Sequence, residues 1–187
     1  MRSHVPEKLL AIVDEIEAEG YASLTRLTVL KKWFERPGRL PAFGLWVARR
    51  AAGRKGRTKA EAGALLNEAR TLLGSTATRE SFAQPVSRGA AQTLHRRARD
   101  FQHQFDHQSW GPVRIIHCWP LLLVEQGLAL HVGEEDSPSA GYKLAADFCQ
   151  HYDSQHGNCL CGPSRTKVME IVRFMFTVEA IEEDHGH

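Results

Sequence analysis

The 187-residue sequence predicts an all-α protein, a single globular domain of about seven or eight helices. Apolar residues recur at intervals of three and four along most of the chain, which is the spacing of one helix face. Proline, glycine and Ser/Thr caps separate these stretches at intervals of helix length. Four Trp, eight Phe, only four Cys and a formal net charge of +2 are typical of a globular chain. These values exclude global disorder, collagen and a disulfide scaffold.

Four helices are predicted in the first 74 residues. Pro6 is placed to begin the first helix and Gly20 to end it. The Arg36-Pro37-Gly38 turn ends the second, because proline disfavours helix in the residue before it. Thr58 and Glu61 have the capping-box spacing that begins the fourth helix. The four predicted helices cover 6–20, 23–34, a segment from near 41 to 50, and 58–73.

The second half of the chain begins after a Ser/Thr-rich loop predicted over 75–86. The helix that follows carries Leu94 and Phe101 on one apolar seam. Segment 111–132 is ambiguous, because its VRIIHCW stretch fits a short strand whereas Pro120 is placed to begin a helix over LLLVEQGLAL. One domain over 1–187 is predicted. The alternative is a boundary in the loop, between a basic helical subdomain at 1–74 and an acidic one at 87–187.

The last helix, over 164–183, carries the strongest core face in the sequence, and another helix from 137 to about 152 precedes it. Phe174 flanks the apolar stripe and widens it, so it is predicted to be covered, whereas Arg173 and Glu170 should stay near water. The helix carrying Leu94 is its predicted partner. The stripe residues are Val168, Ile171, Val172, Met175, Val178 and Ile181.

Charge is strongly segregated along the chain. Residues 21–60 contain eleven basic groups and one acidic group, whereas residues 125–187 contain four basic and eleven acidic groups. Such asymmetry predicts either a polyanionic partner or pairing between the two regions. A shorter basic run, 95–99, lies off the apolar seam of its helix and is expected to face solvent.

The basic segment 23–59 is predicted to form a helix-turn-helix-like hairpin that binds nucleic acid through the phosphate backbone. A tight turn at 36–39 joins its two helices, and the Gly-rich GRKGR stretch adds three cations. In this interpretation the protein is a non-enzymatic regulator or a small subunit of a nucleoprotein assembly. The predicted phosphate-contacting residues are Lys31, Lys32, Arg36, Arg39, Arg49, Arg50, Arg54, Lys55 and Arg57.

The same charge pattern fits a protein–protein assembly or adaptor factor that binds no nucleic acid. Its basic hairpin would then dock an acidic partner, including the acidic half of a second copy in a homodimer. The simplest interpretation is that these cations complement helix termini and pair with the acidic C-terminal half. An uncovered basic patch would favour nucleic acid. Arg49, Arg50 and Arg54 paired with carboxylates or buried in an interface would favour the adaptor.

Five soft metal ligands cluster within thirteen residues near the C-terminus, although their spacing is poor for zinc. The C-x-C pair is tighter than the usual knuckle, and no second Cys pair is present, so the sequence favours no metal and no other cofactor. The alternative is a zinc site. Its candidate ligands are Cys149, His151, His156, Cys159 and Cys161. His103 and His107, one helical turn apart, form a weaker candidate pair.

No nucleophile elbow, phosphate-binding glycine loop, dinucleotide fingerprint or HExxH sequence is present. The third functional alternative is therefore an enzyme whose site is assembled near the 147–165 loop, where Asp147, His151, Asp153 and His156 lie close in sequence. The first twenty residues interleave apolar and acidic side chains, unlike an export signal. A cytoplasmic protein with reduced thiols, not bound to a membrane, is expected.

Overall fold

A computed structural model describes residues 29–53, 60–74, 85–108, 113–151 and 165–185. These residues form seven α-helices and no strand, so the predicted all-α class is confirmed. The helices are α1 Val29–Phe34, α2 Arg39–Ala52, α3 Ala60–Leu73, α4 Arg88–Gln108, α5 Val113–Val132, α6 Pro138–His151 and α7 Arg165–His185. The first predicted helix, over 6–20, lies outside the described residues.

Helices α2 and α5 form the centre of the protein and pack more extensively than any other pair of described helices. Two glycines allow this close approach. A Cβ atom on Gly44 would collide with the carbonyl oxygen of Gly127, and a Cβ atom on Gly127 would collide with that of Gly44. Around this crossing, α3 and α4 pack on one another and on α5, and one hydrophobic core extends from α1 to α7.

The last helix packs mainly on α6 and on an aromatic cluster, whereas the sequence predicted α4 as its partner. Its Phe174 ring stacks on Trp46 with ring centroids 4.8 Å apart and contacts Trp33 and Phe43 edge-on or tilted. The predicted stripe is confirmed where the structure describes it. Its buried residues are Val168, Ile171, Val172 and Met175, with Phe174 beside them.

Helix α5 resolves the ambiguity of segment 111–132 in favour of a single helix. Pro120 lies inside this helix, although the sequence placed it at a helix start. An internal proline removes one backbone hydrogen bond and costs about 3 kcal/mol. Leu121, Leu123 and Leu128 are almost fully buried, and burial of each such side chain contributes about 1.5–3 kcal/mol, which outweighs that cost.

The helix-turn-helix-like hairpin is not confirmed. Within the described residues α1 covers only six residues, and its principal neighbour is α6 rather than α2. Gly38, immediately before α2, adopts a left-handed φ of 77°, which explains why glycine ends the turn.

In the part of the chain that the structure describes, no helix combines the length and apolarity that a bilayer span requires.

Candidate functional site

Three basic residues of segment 23–59, Arg36, Arg39 and Arg50, lie against acidic residues of α7. Glu179 accepts a hydrogen bond from Arg36 at 2.6 Å and one from the Trp33 indole at 2.8 Å. The same carboxylate lies 3.2 Å from the Arg39 guanidinium, whose side chain is only 2% exposed. Arg39 also lies 5.1 Å from the centre of the Trp33 ring. These contacts place Arg39 inside the fold.

A second carboxylate of α7 engages two more cations. Arg50 donates a 2.6 Å hydrogen bond to Glu170, and Lys167 donates a 2.8 Å bond to the other oxygen of the same carboxylate. Lys167 is buried, so this group of charges is partly shielded from water. It connects α2 to α7. Pairing between the basic and acidic regions, one of the sequence interpretations, therefore occurs within one chain.

Arg49 is buried and donates from its Nε atom to the carbonyl oxygen of Leu73, at 2.6 Å. This oxygen is among the last four carbonyls of α3, which have no partner within their own helix. Burial holds the pKa of the Arg49 guanidinium below its usual range. Arg49 therefore caps α3 from the neighbouring helix.

Two of the nine predicted phosphate-contacting residues remain well exposed without a described ion pair. Lys31 and Lys32 project from α1, and the Lys31 ammonium lies 4.9 Å from the centre of the Tyr142 ring. Arg36 is also 46% exposed, although it is bound to Glu179. Arg54, Lys55 and Arg57 lie outside the described residues.

Of the five candidate zinc ligands, Cys149 is the one whose side chain the structure describes. Cys149 is a free, buried thiol in α6, and burial raises its pKa to about 12. A thiol held protonated in this way is a poor metal ligand. His156, Cys159 and Cys161 lie outside the described residues, as do the side chains of His151 and His107. His103 is exposed. No group of three or more His, Cys, Asp or Glu with metal-binding geometry occurs among the residues described.

A groove lies between α5 and α6 on the described surface, and we call it the α5–α6 groove. Its volume is about 470 Å³, within the range of pockets that bind ligands or side chains. Apolar atoms form part of its wall, and charged and hydroxyl groups form the rest. Its lining residues are Glu125, Gln126, Ala129, Leu130, Glu135, Ser137, Ser139, Ala140, Lys143 and Leu144.

A buried histidine fixes one wall of this groove. His95 of α4 is 1% exposed, and its Nε2 atom lies 2.9 Å from Oε1 of Glu125. Because a carboxylate only accepts hydrogen bonds, this Nε2 atom carries the proton. The Nδ1 atom lies 3.4 Å from Glu134, which also binds Arg99 at 3.1 Å. The expectation that the basic run 95–99 faces solvent is therefore wrong for His95.

Sequence reasoning missed this groove, because its residues form no motif. They come from α5, from α6 and from the short connection between them, which contains Glu135 and Ser137. The available signal was the acidic run Gly133-Glu134-Glu135-Asp136 between two apolar helices. Gly133 ends α5 with a left-handed φ of 81°, and the backbone amides of Glu134 and Glu135 both bond to the Ala129 carbonyl. After this helix ending, the chain enters the connection in which Glu135 lines the groove.

No protein-family model, curated protein or solved structure matches this chain.

Proposed function

We propose that this protein is a non-enzymatic protein–protein assembly or adaptor module that docks its partner in the α5–α6 groove. The observation that carries the proposal is the groove itself, which has buried Leu130 and Leu144 in its wall and charged groups around them. Grooves of mixed character between helices accept an amphipathic helix, whose apolar anchors enter the floor while polar residues meet the rim.

The contacts of the basic residues favour a protein-docking module over a nucleic-acid-binding protein. Arg39 and Arg49 lie inside the fold, and Arg50 is paired with Glu170. A phosphate-binding surface needs several cations that neutralise phosphates rather than the protein's own carboxylates. Part of the segregated charge thus joins α2 to α7, through the Arg39–Glu179 and Arg50–Glu170 pairs.

Blocking the groove tests the proposal. A photo-crosslinking residue placed at the exposed Ser139 should trap a partner in cells, and the same residue at the exposed Thr71 of α3 should not trap it. The purified partner should then bind wild-type protein but bind Ser139→Trp at least tenfold more weakly, because the indole fills the groove. The Thr71→Trp variant is the control for added bulk. A trapped partner that binds Ser139→Trp and wild type equally would exclude the groove as the docking site.

Our second proposal is nucleic-acid binding by the exposed cations of α1 and of the turn that follows it. Lys31, Lys32 and Arg36 lie within six residues on the surface of α1 and the following turn. Fluorescence anisotropy with duplex DNA, single-stranded DNA and RNA would test it over a range of salt concentrations. If these residues bind phosphates, the Lys31→Ala/Lys32→Ala double variant has a shallower plot of log binding constant against log salt concentration. Its slope should decrease by about 0.7–0.9 for each phosphate that is no longer neutralised. Arg96→Ala, at another exposed cation, is the control. Equal binding by wild type and the double variant would contradict this proposal.

A further inference from the structure

We infer that the α5–α6 groove recognises a cationic side chain, arginine or lysine, on the partner segment, with Glu125 as its anchor. The inference rests on the proposed docking function and specifies the partner's chemistry. Three features support it: the position of Glu125 in the groove wall, the buried contact that orients its carboxylate, and the surplus of negative charge around the groove.

Glu125 is suited to bind a cation because it is oriented before binding. Its side chain is 17% exposed, and its Oε1 atom accepts from the buried His95 imidazole at 2.9 Å. A carboxylate fixed in this way loses little side-chain entropy when a ligand pairs with it. Partial removal from water also makes an ion pair stronger than it is on an open surface.

The charges around the groove favour a cation over an anion. Glu125 and Glu135 both line it, and the exposed Asp136 follows in the same connection. The lining cation, Lys143, is 3.1 Å from Asp147 on the next turn of α6, so its charge is offset there. Arg99 similarly pairs with Glu134.

The apolar part of the wall defines the rest of the partner. Ala129, Leu130 and Ala140 line the groove with apolar side chains, which can contact the aliphatic stem of a long side chain. Arginine and lysine place such a stem on apolar surface while the charged head reaches a polar group. The matching partner is therefore an amphipathic helix that presents one Arg or Lys beside small apolar residues.

The test uses a small probe with a neutral twin of similar shape. Butylguanidinium chloride is titrated into the full-length protein, and backbone amide shifts are followed by NMR, with butylurea as the uncharged comparison. Butylguanidinium should shift groove amides such as those of Ser139 and Lys143, and butylurea should bind more weakly. The Glu125→Gln variant should weaken butylguanidinium binding roughly fivefold. This variant is expected to fold, because the glutamine carbonyl can still accept the His95 hydrogen bond.

Glu68→Gln is the matched control, since it removes the same charge from an exposed carboxylate of α3 that pairs with Arg97. It should bind butylguanidinium as wild type does. Equal affinity for the two probes, unchanged binding by Glu125→Gln, or shifts confined to residues outside the groove would each overturn the inference.

The experiments separate this inference from the docking proposal. If Ser139→Trp loses the purified partner while Glu125→Gln binds it with wild-type affinity, the groove is the docking site but the cationic anchor is wrong. If Ser139→Trp binds the partner as wild type does, the docking proposal fails. The butylguanidinium titration still reports on Glu125 directly in that case.

Discussion

The carbonyl oxygen of Gly127 occupies the position that a side chain on Gly44 would need. The two glycines face one another at the crossing of α2 and α5. A side chain on Gly127 would likewise collide with the carbonyl oxygen of Gly44. The obstacle in both directions is backbone, which cannot rotate aside as a flexible side chain can. The distance between the two central helices is therefore set by the absence of two Cβ atoms.

Gly44→Ala should lower the free energy of unfolding by about 1–3 kcal/mol, because α2 and α5 must move apart. This loss would occur although alanine is intrinsically the better helix former by about 1 kcal/mol. Urea denaturation followed by circular dichroism measures the change. Gly89→Ala is the control, since a Cβ atom there meets nothing within 4 Å, and it should leave stability unchanged or raise it. Equal effects of the two substitutions would show that the α2–α5 crossing is not limited by these glycines.

Glu179→Ala should lower the free energy of unfolding by about 1–3 kcal/mol, because it removes a partly buried acceptor that the Trp33 indole and two arginines share. The carboxylate is 12% exposed and serves Trp33, Arg36 and the buried Arg39. Glu68→Ala removes an ion pair with Arg97 in which both side chains are more than 40% exposed, and it should cost about 0–1 kcal/mol. Thermal unfolding of both variants makes the comparison. A Glu179 effect as small as that of Glu68 would contradict the assigned role.

Cys149 should make stability depend on pH in the alkaline range. Its folded pKa is raised to about 12 from an ordinary value of 9.0, mainly by burial. The folded state therefore keeps the thiol proton where the unfolded chain releases it, and stability is lost as pH rises from about 9 towards 12. The stability difference between wild type and Cys149→Ala should accordingly shrink above pH 9, by up to about 1.4 kcal/mol per pH unit. A difference that is constant between pH 7 and pH 10.5 would contradict the buried thiol.

Ile171→Asp should unfold the protein. Ile171 is fully buried on α7, and an unpaired buried carboxylate costs several kcal/mol against a total stability of about 5–15 kcal/mol. Arg173→Asp changes charge two residues away at an exposed position and should remain folded. Circular dichroism and size exclusion report both results. An Ile171→Asp protein that stays folded but changes from dimer to monomer would instead place this residue in an interface between copies.

Much of the helical framework follows from local signals in the sequence. Apolar spacing, with the capping-box spacing of Thr58 and Glu61, placed α3, α6 and α7 within a few residues of their observed bounds. Each of these signals acts within one or two helical turns, so it is present in the sequence itself. Pro120 misled the prediction because its local cost is outweighed by burial of α5.

The sequence by itself determined the all-α class, the apolar stripe of α7 and the separation of charge along the chain. The tertiary structure decided which charges meet: it placed Arg39 beside Glu179 and enclosed His95 against Glu125. Helical periodicity states which face of a helix is polar, but not whether another helix will cover that face. Burial of a polar side chain depends on partners distant in sequence. For that reason the α5–α6 groove is defined by the packing of the helices and not by any single segment of the sequence.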